Sequence, residues 1–277
     1  MDAFSPRSLE EALEIRAVRP EAIPVAGGTD LWVEVNARRI RPAALLDLSR
    51  VEELQHWERN GTVFVGAGLT FSAIIDELGE FGPLVEAARS VASTQIRNRA
   101  TIGGNLATAS PAGDSLPVLA AYGADVVAAA AGGRRRRIPL DEFLVGPKRT
   151  SLAPDELIAG VEWTPVPGPG SFAKVGRRNA MVIAVASACL QLDEEHGAVR
   201  LALGSVGPTV LRAPRAERLA AEALAGADPA GALVEFGRLA AVEARPIDDR
   251  RGSADFRRHV VEVLARRALA QALEGRC

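Results

Sequence analysis

Hydrophobic and polar positions in the first fifty residues alternate between helical and strand spacing. Leu9, Ala12 and Leu13 fall on one helical face, and Ser8 with Glu11 forms an S-x-x-E capping box at its start. The next apolar runs predict a strand at residues 23–26, a helix over residues 31–35 and a second strand at residues 44–48. This order predicts a small α/β unit at the start of the chain.

The middle of the chain continues the alternation of strands and helices. Residues 62–66 read as a strand that leaves through glycines, after which Thr70 can cap a helix and Pro83 can begin another. Further runs predict a helix over residues 115–120 and a strand over residues 125–131, which turns at Gly132-Gly133. Residues 101–117 are rich in glycine, asparagine, threonine and serine and show little periodicity, so 101–105 is interpreted as a loop.

Prolines and glycines concentrate at residues 164–170, which is typical of a linker or a domain edge. Beyond it, strands are predicted near residues 171–176, 181–192 and 199–206, and helices near 215–225, 231–243 and 253–274. Ser253 is the candidate cap of the last helix. The pattern predicts two domains of α+β type, residues 1–167 and 168–277.

Composition excludes several classes of partner. The chain has 277 residues, 48% of them hydrophobic, and a formal net charge of −2, so no global charge favours nucleic acid or an anionic membrane. The start of the sequence lacks the apolar core of a secretory signal, and no run reaches the roughly 18–20 apolar residues of a membrane span. We therefore expect a soluble, cytoplasmic protein.

Cysteine and histidine are too sparse to build a metal centre. The cysteines are Cys189 and Cys277, whereas an iron–sulfur cluster usually takes about four thiolates. The histidines, His56, His196 and His259, share no metal-ligand spacing. Redox chemistry in this chain would depend on an organic cofactor.

Two glycine pairs are the strongest candidates for binding chemistry. Residues 26–30 read Ala-Gly-Gly-Thr-Asp, and residues 101–105 read Thr-Ile-Gly-Gly-Asn. Consecutive glycines lack Cβ atoms and permit positive φ, so that successive amides can converge on a diphosphate, and threonine and asparagine add hydrogen bonds. Plain tight turns explain the same residues, and the sequence leaves both interpretations open.

Other motifs are better explained by structure than by function. The glycines at residues 66–68 fail the dinucleotide-binding pattern because its third glycine position is Phe71. Residues 134–137, four arginines, predict a solvated hairpin strand. Asp114 is either a helix cap or a ligand for ribose hydroxyls. Lys174 and Arg177-Arg178 could contact phosphate or a partner, but a solvated strand edge explains them better, and Cys189 is expected in the core.

The glycine pairs belong to longer stretches that resemble the signatures of one known family. The stretches follow in order along the chain: residues 26–31 with 47–49, residues 95–98 with 101–107 and 110–115, and residues 249–258. The family comprises the FAD-binding (medium) subunits of molybdenum hydroxylases of the xanthine dehydrogenase and carbon monoxide dehydrogenase type. The resemblance covers essentially the whole chain.

The resemblance implies a fold, a cofactor and a set of binding residues. The fold would be a two-subdomain FAD-binding domain of the vanillyl-alcohol oxidase (PCMH) type, divided near residue 55, and a smaller α+β C-terminal domain. No catalytic side chain and no metal ligand is implied. The residues expected to bind FAD are Ala26, Gly27, Gly28, Thr29, Asp30, Leu31, Thr101, Ile102, Gly103, Gly104, Asn105, Asp114, Leu157 and Lys174.

The resemblance also implies partners. A large molybdenum-cofactor subunit would oxidise substrate, a small [2Fe-2S] subunit would carry electrons to the flavin, and NAD or another acceptor would receive them, all in a cytoplasmic heterotrimer. Xanthine or a related purine is the leading substrate for the complex, with carbon monoxide, nicotinate and other aromatic compounds left open. A stand-alone flavin oxidoreductase and a nucleotide-binding scaffold without redox function remain as alternatives.

Overall fold

The computed structural model describes residues 1–226 and 231–274. The helices are α1 (Leu9–Val18), α2 (Leu31–Asn36), α3 (Phe71–Glu77), α4 (Gly82–Ser90), α5 (Thr94–Arg97), α6 (Ile102–Thr108), α7 (Ser115–Tyr122), α8 (Leu140–Phe143), α9 (Pro214–Ala225), α10 (Leu233–Glu243) and α11 (Ala254–Glu274), with a 3-10 turn at Glu52–Leu54. The strands are β1 (Asp2–Phe4), β2 (Ala22–Val25), β3 (Ala44–Asp47), β4 (Trp57–Asn60), β5 (Thr62–Gly66), β6 (Asp125–Ala130), β7 (Arg134–Pro139), β8 (Leu144–Gly146), β9 (Arg149–Thr150), β10 (Leu157–Trp163), β11 (Gly170–Val175), β12 (Ala186–Asp193), β13 (Ala198–Gly204) and β14 (Leu211–Arg212).

The chain divides into two compact units, each assembled from separate segments. Unit 1 comprises Met1–Asp76, Ser93–Ala109 and Ala124–Thr164, and unit 2 comprises Glu77–Ala92, Ser110–Gly123 and Pro165–Cys277. Helix and sheet mix in both, so the fold class is α+β.

Unit 1 contains three sheets. A small parallel sheet has the order β1-β3-β2, and a larger antiparallel sheet has the order β4-β5-β10-β6-β7. Strands β8 and β9 form a separate pair. The apolar face of α1, formed by Leu9, Ala12 and Leu13, is buried, and the central strand β10 is buried over nearly its whole length. Burial of this apolar surface is the main stabilising contribution to the unit.

Unit 2 is built on an antiparallel sheet of order β11-β12-β13-β14. All eight residues of β12 are buried. Because side chains alternate across a strand, one set, including Leu190, packs with Phe236 and Val261 of the helical layer α9–α11. The other set includes Cys189, which is fully buried. Cys189 is therefore a core residue, as predicted, and its burial raises the pKa of the thiol.

Most predicted helices and several strands are confirmed. The Ser8 side chain accepts a hydrogen bond from the Glu11 amide, and Ser253 caps α11 through the Phe256 amide. Thr70 caps α3 through the Ala73 amide. The four arginines lie on β7, an exposed edge strand that forms ion pairs with neighbouring carboxylates.

Some expectations about elements were wrong or incomplete. The strand predicted over residues 181–192 begins only at Ala186, because Met181 has φ +48° and the preceding segment is a loop. The sequence analysis missed β1, which is only three residues long, and β10, whose apolar run cannot be told from a buried helix by periodicity alone. Both strands form by pairing with strands that are distant from them in the sequence.

Candidate functional site

The first glycine segment of unit 1 joins β2 to α2. Gly28 has φ +71°, a conformation that glycine adopts without strain. Gly27 lies against the backbone: a Cβ atom there would sit 1.9 Å from the Arg99 carbonyl oxygen. Among the described residues, no acceptor receives a hydrogen bond from the backbone amides of residues 27–30. These four consecutive donors are available to an anionic ligand.

The second glycine segment is helical, so the prediction of a loop at residues 101–105 was wrong. Thr101 is the N-cap of α6, and its hydroxyl accepts a hydrogen bond from the Gly104 amide at 3.0 Å. Ile102 and Gly103 are buried, and a Cβ on Gly103 would lie 2.5 Å from the Ala67 Cβ. Close packing against the protein therefore accounts for glycine at position 103.

Of the four glycines in the two pairs, Gly104 is the one whose identity the fold does not explain. It occupies the third position of a capped helix, where Glu or Gln is common, and its φ is not positive. It is exposed, and a Cβ there would approach only the Thr101 hydroxyl, at 3.1 Å. Glycine in a helix costs about 0.5–1 kcal/mol relative to alanine. Close approach of a ligand to the backbone offers a physical reason to accept that cost.

The two glycine segments lie side by side. Gly27 packs on the carbonyl of Arg99, which precedes the N-cap of α6 by two residues. At the other end of α6, the Thr108 hydroxyl donates to the Asp30 carboxylate at 3.1 Å. The free amides of residues 27–30 thus run along the helix that carries Gly104. Ala26 and Leu31, at the ends of the first segment, and Asn105 on α6 are half-buried.

Trp32 was not singled out in the sequence analysis. Its indole edge lies against Gly28, since a Cβ on Gly28 would be 2.6 Å from the Trp32 Nε1 atom. Trp32 is 42% exposed and lies on α2, directly after the glycine segment. A half-exposed tryptophan beside free amides is a surface on which a ligand ring can stack. In the sequence, the only indication that Trp32 could contact a ligand was its position directly after residues 26–31.

In unit 2, Asp114 and Lys174 form a buried ion pair. The Lys174 ammonium lies 2.5 Å from the Asp114 Oδ2 atom, and each side chain is 9% exposed. Burial raises the pKa of Asp114, an effect that the nearby Lys174 charge opposes. The expectation of a solvated Lys174 was therefore wrong. The helix-cap interpretation of Asp114 was also wrong, because its side chain makes no capping hydrogen bond although it precedes α7.

In this pair, every ammonium hydrogen of Lys174 is used, whereas one carboxylate oxygen of Asp114 accepts no hydrogen bond within the described residues. Lys174 also donates to the carbonyl oxygens of Ser90, at 2.7 Å, and Val182, at 3.2 Å, which uses all three ammonium hydrogens. The Asp114 Oδ1 atom is buried and accepts no hydrogen bond within the described residues, because the Ser90 hydroxyl, which is close enough to lower the pKa of Asp114, donates to the Ala87 carbonyl oxygen at 2.7 Å instead. A buried carboxylate oxygen without a donor is costly, so this atom fits a ligand hydroxyl or amide.

Leu157, like Ile102, offers almost no surface to a ligand. It opens β10, pairs with Ala129 of β6 and is only 2% exposed. Its side chain belongs to the core of unit 1. No helix within the described ranges is long and apolar enough to span a membrane.

Comparison with known proteins matches the chain over nearly its whole length. Residues 1–166 match the family described as the FAD binding domain in molybdopterin dehydrogenase, and residues 171–272 match the CO dehydrogenase flavoprotein C-terminal domain. The chain is 33% identical to the nicotine 6-hydroxylase medium subunit of Paenarthrobacter nicotinovorans, covering 97% of this chain and 95% of that protein. It is 28% identical to the xanthine dehydrogenase FAD-binding subunit of Escherichia coli, covering 96% and 94%.

A solved structure gives the same result for the fold. Carbon monoxide dehydrogenase from Hydrogenophaga pseudoflava includes a chain that superposes with a TM-score of 0.90 at 28% identity. The superposition covers 99% of this chain and 97% of that chain. The likeness extends beyond the glycine segments to both matched domains.

Proposed function

The chain belongs to the FAD-binding subunits of the molybdenum hydroxylases, an oxidoreductase family, and on that premise we propose that it passes electrons from a small iron–sulfur subunit to NAD or another acceptor. Its cofactor is FAD, and its family works as multi-subunit complexes with a large molybdenum subunit and a small iron–sulfur subunit. We also propose the domain boundary near residue 167, which agrees with the matched ranges.

The FAD diphosphate is proposed to lie on the first glycine segment and on Gly104. The single observation that carries this proposal is the row of four consecutive amides at residues 27–30, which meet no acceptor in the part of the chain that the structure describes. Such a row of N–H groups stabilises an anion without a basic side chain. The remaining predicted residues of these segments, Thr101 and Asn105 among them, position the α6 backbone or add polar contacts.

Asp114 is proposed to accept a hydrogen bond from the cofactor through Oδ1. This oxygen is buried and without a donor, whereas Oδ2 is held by Lys174. Lys174 fixes the orientation of the carboxylate and balances its charge. A ligand hydroxyl at Oδ1 would offset the cost of burying that oxygen. Direct contact of Lys174 with FAD, implied by the resemblance, would require the exchange of one of its present hydrogen bonds.

Bound FAD supplies a centre that takes up electrons from one partner and releases them to another. The protein binds and orients the cofactor, and no side chain is required as nucleophile or general base. Position and hydrogen bonding of the ring system then tune its redox behaviour. Trp32 is positioned to add a stacking surface beside the glycine segment.

A xanthine or related purine substrate for the complex is part of the proposal. Two of the relatives are named for nicotine and xanthine, both nitrogen heterocycles, which supports it, whereas the structural relative is named for carbon monoxide. In this family, the large subunit determines which substrate the complex oxidises. Assays of the purified complex with purines, nicotinate and carbon monoxide would decide among these substrates.

The test is the flavin content of the purified chain. We expect a yellow protein with about one FAD per chain, extracted as FAD rather than as FMN. Mixing with the reduced iron–sulfur partner under anaerobic conditions should bleach the flavin absorbance, and adding the acceptor should restore it. A colourless protein that FAD does not reconstitute would exclude the proposed function, and a flavoprotein that its partner does not reduce would exclude the electron-transfer role.

A further inference from the structure

The indole of Trp32 meets the first glycine segment with the edge that carries its N–H group. A Cβ atom on Gly28 would lie 2.6 Å from the Trp32 Nε1 atom and 2.7 Å from its Cδ1 atom. The indole edge therefore fills the space that a side chain at position 28 would need. The Gly28 Cα atom stands between the amides of Gly28 and Thr29, which meet no acceptor in the described part of the chain. The indole nitrogen thus lies close to both amides.

The indole N–H group has no partner among residues 1–226 and 231–274. It can only donate, so it needs an acceptor from solvent or from a ligand. Trp32 is 42% exposed, and α2 buries none of its residues. Packing within unit 1 therefore gives no reason for a tryptophan at this position.

The backbone on both sides of Trp32 is held in place. Its amide donates a hydrogen bond to the Gly28 carbonyl oxygen at 3.0 Å. Two residues earlier, the Asp30 carboxylate accepts a hydrogen bond from the Thr108 hydroxyl at 3.1 Å. A donor on a backbone that is already fixed costs less to order when a ligand binds.

The carboxylate that follows Trp32 on α2 is neutralised by cations. Glu34 forms ion pairs with Lys148 at 3.2 Å and with Arg39 at 3.3 Å. Hydrogen bonds from Lys148 and Arg39 lower the pKa of Glu34. Because these cations balance the carboxylate, α2 adds little repulsion towards an anion beside Trp32.

We propose that the Trp32 indole N–H donates a hydrogen bond to the FAD diphosphate, beside the amides of residues 27–30. A side-chain donor and the backbone donors then converge on the same anion, and hydrogen bonds to an ionised acceptor are stronger than those to a neutral one. Glycine at position 28 serves this arrangement twice, since it permits φ +71° and leaves room for the indole. This inference rests on the proposed function and adds a side chain outside the two glycine motifs.

The test compares two tryptophan variants of unit 1. Trp32→Phe removes the N–H group and keeps an aromatic ring. Trp57→Phe is the matched control, because Trp57 is half-buried on β4 and has no proposed part in FAD binding. The FAD dissociation constant should rise about tenfold or more in Trp32→Phe and stay at the wild-type value in Trp57→Phe. Trp32→Phe should keep the wild-type melting temperature, since α2 buries none of its residues.

Nuclear magnetic resonance of protein labelled with 15N-tryptophan observes the contact directly. The chain has three tryptophans, and the two variants identify the indole N–H signal of Trp32. Saturation with FAD, or with ADP as a diphosphate without a flavin ring, should move this signal downfield. Riboflavin, which has the ring without phosphate, should not.

A Trp32 signal that stays in place in protein with bound FAD would overturn the inference. So would a signal that moves downfield equally with riboflavin, or a Trp32→Phe protein with the wild-type affinity for FAD. Wild-type protein that does not bind FAD would instead refute the proposed function.

Discussion

Replacing Gly104 with alanine separates ligand binding from folding. Gly104 is exposed on α6, has an ordinary helical conformation, and a Cβ there would approach only the Thr101 hydroxyl. Alanine should therefore stabilise the free protein by about 0.5–1 kcal/mol through helix propensity. If the FAD diphosphate lies against this backbone, the added methyl group displaces it and weakens a charge-assisted contact worth about 1.5–3 kcal/mol. The FAD dissociation constant should rise about 10- to 100-fold.

Gly103→Ala is the adjacent control. A methyl group there would lie 2.5 Å from the Ala67 Cβ atom and 2.6 Å from the Ala67 carbonyl oxygen. The free energy of unfolding should therefore fall by about 1–3 kcal/mol. Thermal melts of the free proteins and FAD titrations followed by flavin fluorescence measure both quantities. We expect a stable Gly104→Ala protein that binds FAD weakly. A Gly104→Ala protein that binds FAD as tightly as the wild type would refute this reasoning.

Three further predictions concern unit 2. Asp114→Asn should weaken FAD binding about tenfold. Because it leaves the Lys174 ammonium without a carboxylate, it should also reduce the free energy of unfolding by on the order of 3 kcal/mol. Wild-type values in FAD titration and urea unfolding would contradict this. A hydrogen bond from His196 to Asp193 raises the His196 pKa above 6.5, so its stabilising contribution is complete below pH 6.5 and is lost as pH rises through the raised value. Melting curves of the wild type and His196→Ala should converge at high pH, and a pH-independent difference would argue against this ion pair. Arg257→Met should reduce the free energy of unfolding in urea by about 3–5 kcal/mol, because the buried guanidinium donates hydrogen bonds to two carbonyl groups and to Asp249. An unchanged urea midpoint would show that these contacts contribute little.

The sequence predicted correctly those features of the fold that depend on residues close together in the chain. The caps at Ser8 and Ser253 and the turn at Gly132-Gly133 are set by hydrogen bonds and φ values within a few residues. The start of β12 was misplaced because residues 181–185 form a continuous apolar run that reads as a strand, while hydrogen bonds from Lys174 and from the distant Arg257 hold a loop there. Contacts of that range leave no periodic trace in the sequence.

The candidate site shows the same division. The glycine motifs at residues 27–28 and 103–104 were found from the sequence, but their separate roles were not. The structure gives Gly27 and Gly103 a packing reason and Gly28 a conformational one, and it gives neither reason for Gly104. The Lys174–Asp114 pair joins residues sixty positions apart, and its burial was unpredictable from the apolar pattern around either residue.

The most direct test of the central claim is amide hydrogen exchange at residues 27–30 with and without FAD. In the free protein these amides have no acceptor in the described part of the chain, so they should exchange rapidly. Saturating FAD should slow their exchange strongly if they hold the diphosphate. Fast exchange at these residues in protein that has bound FAD would show that the diphosphate lies elsewhere and would contradict the account.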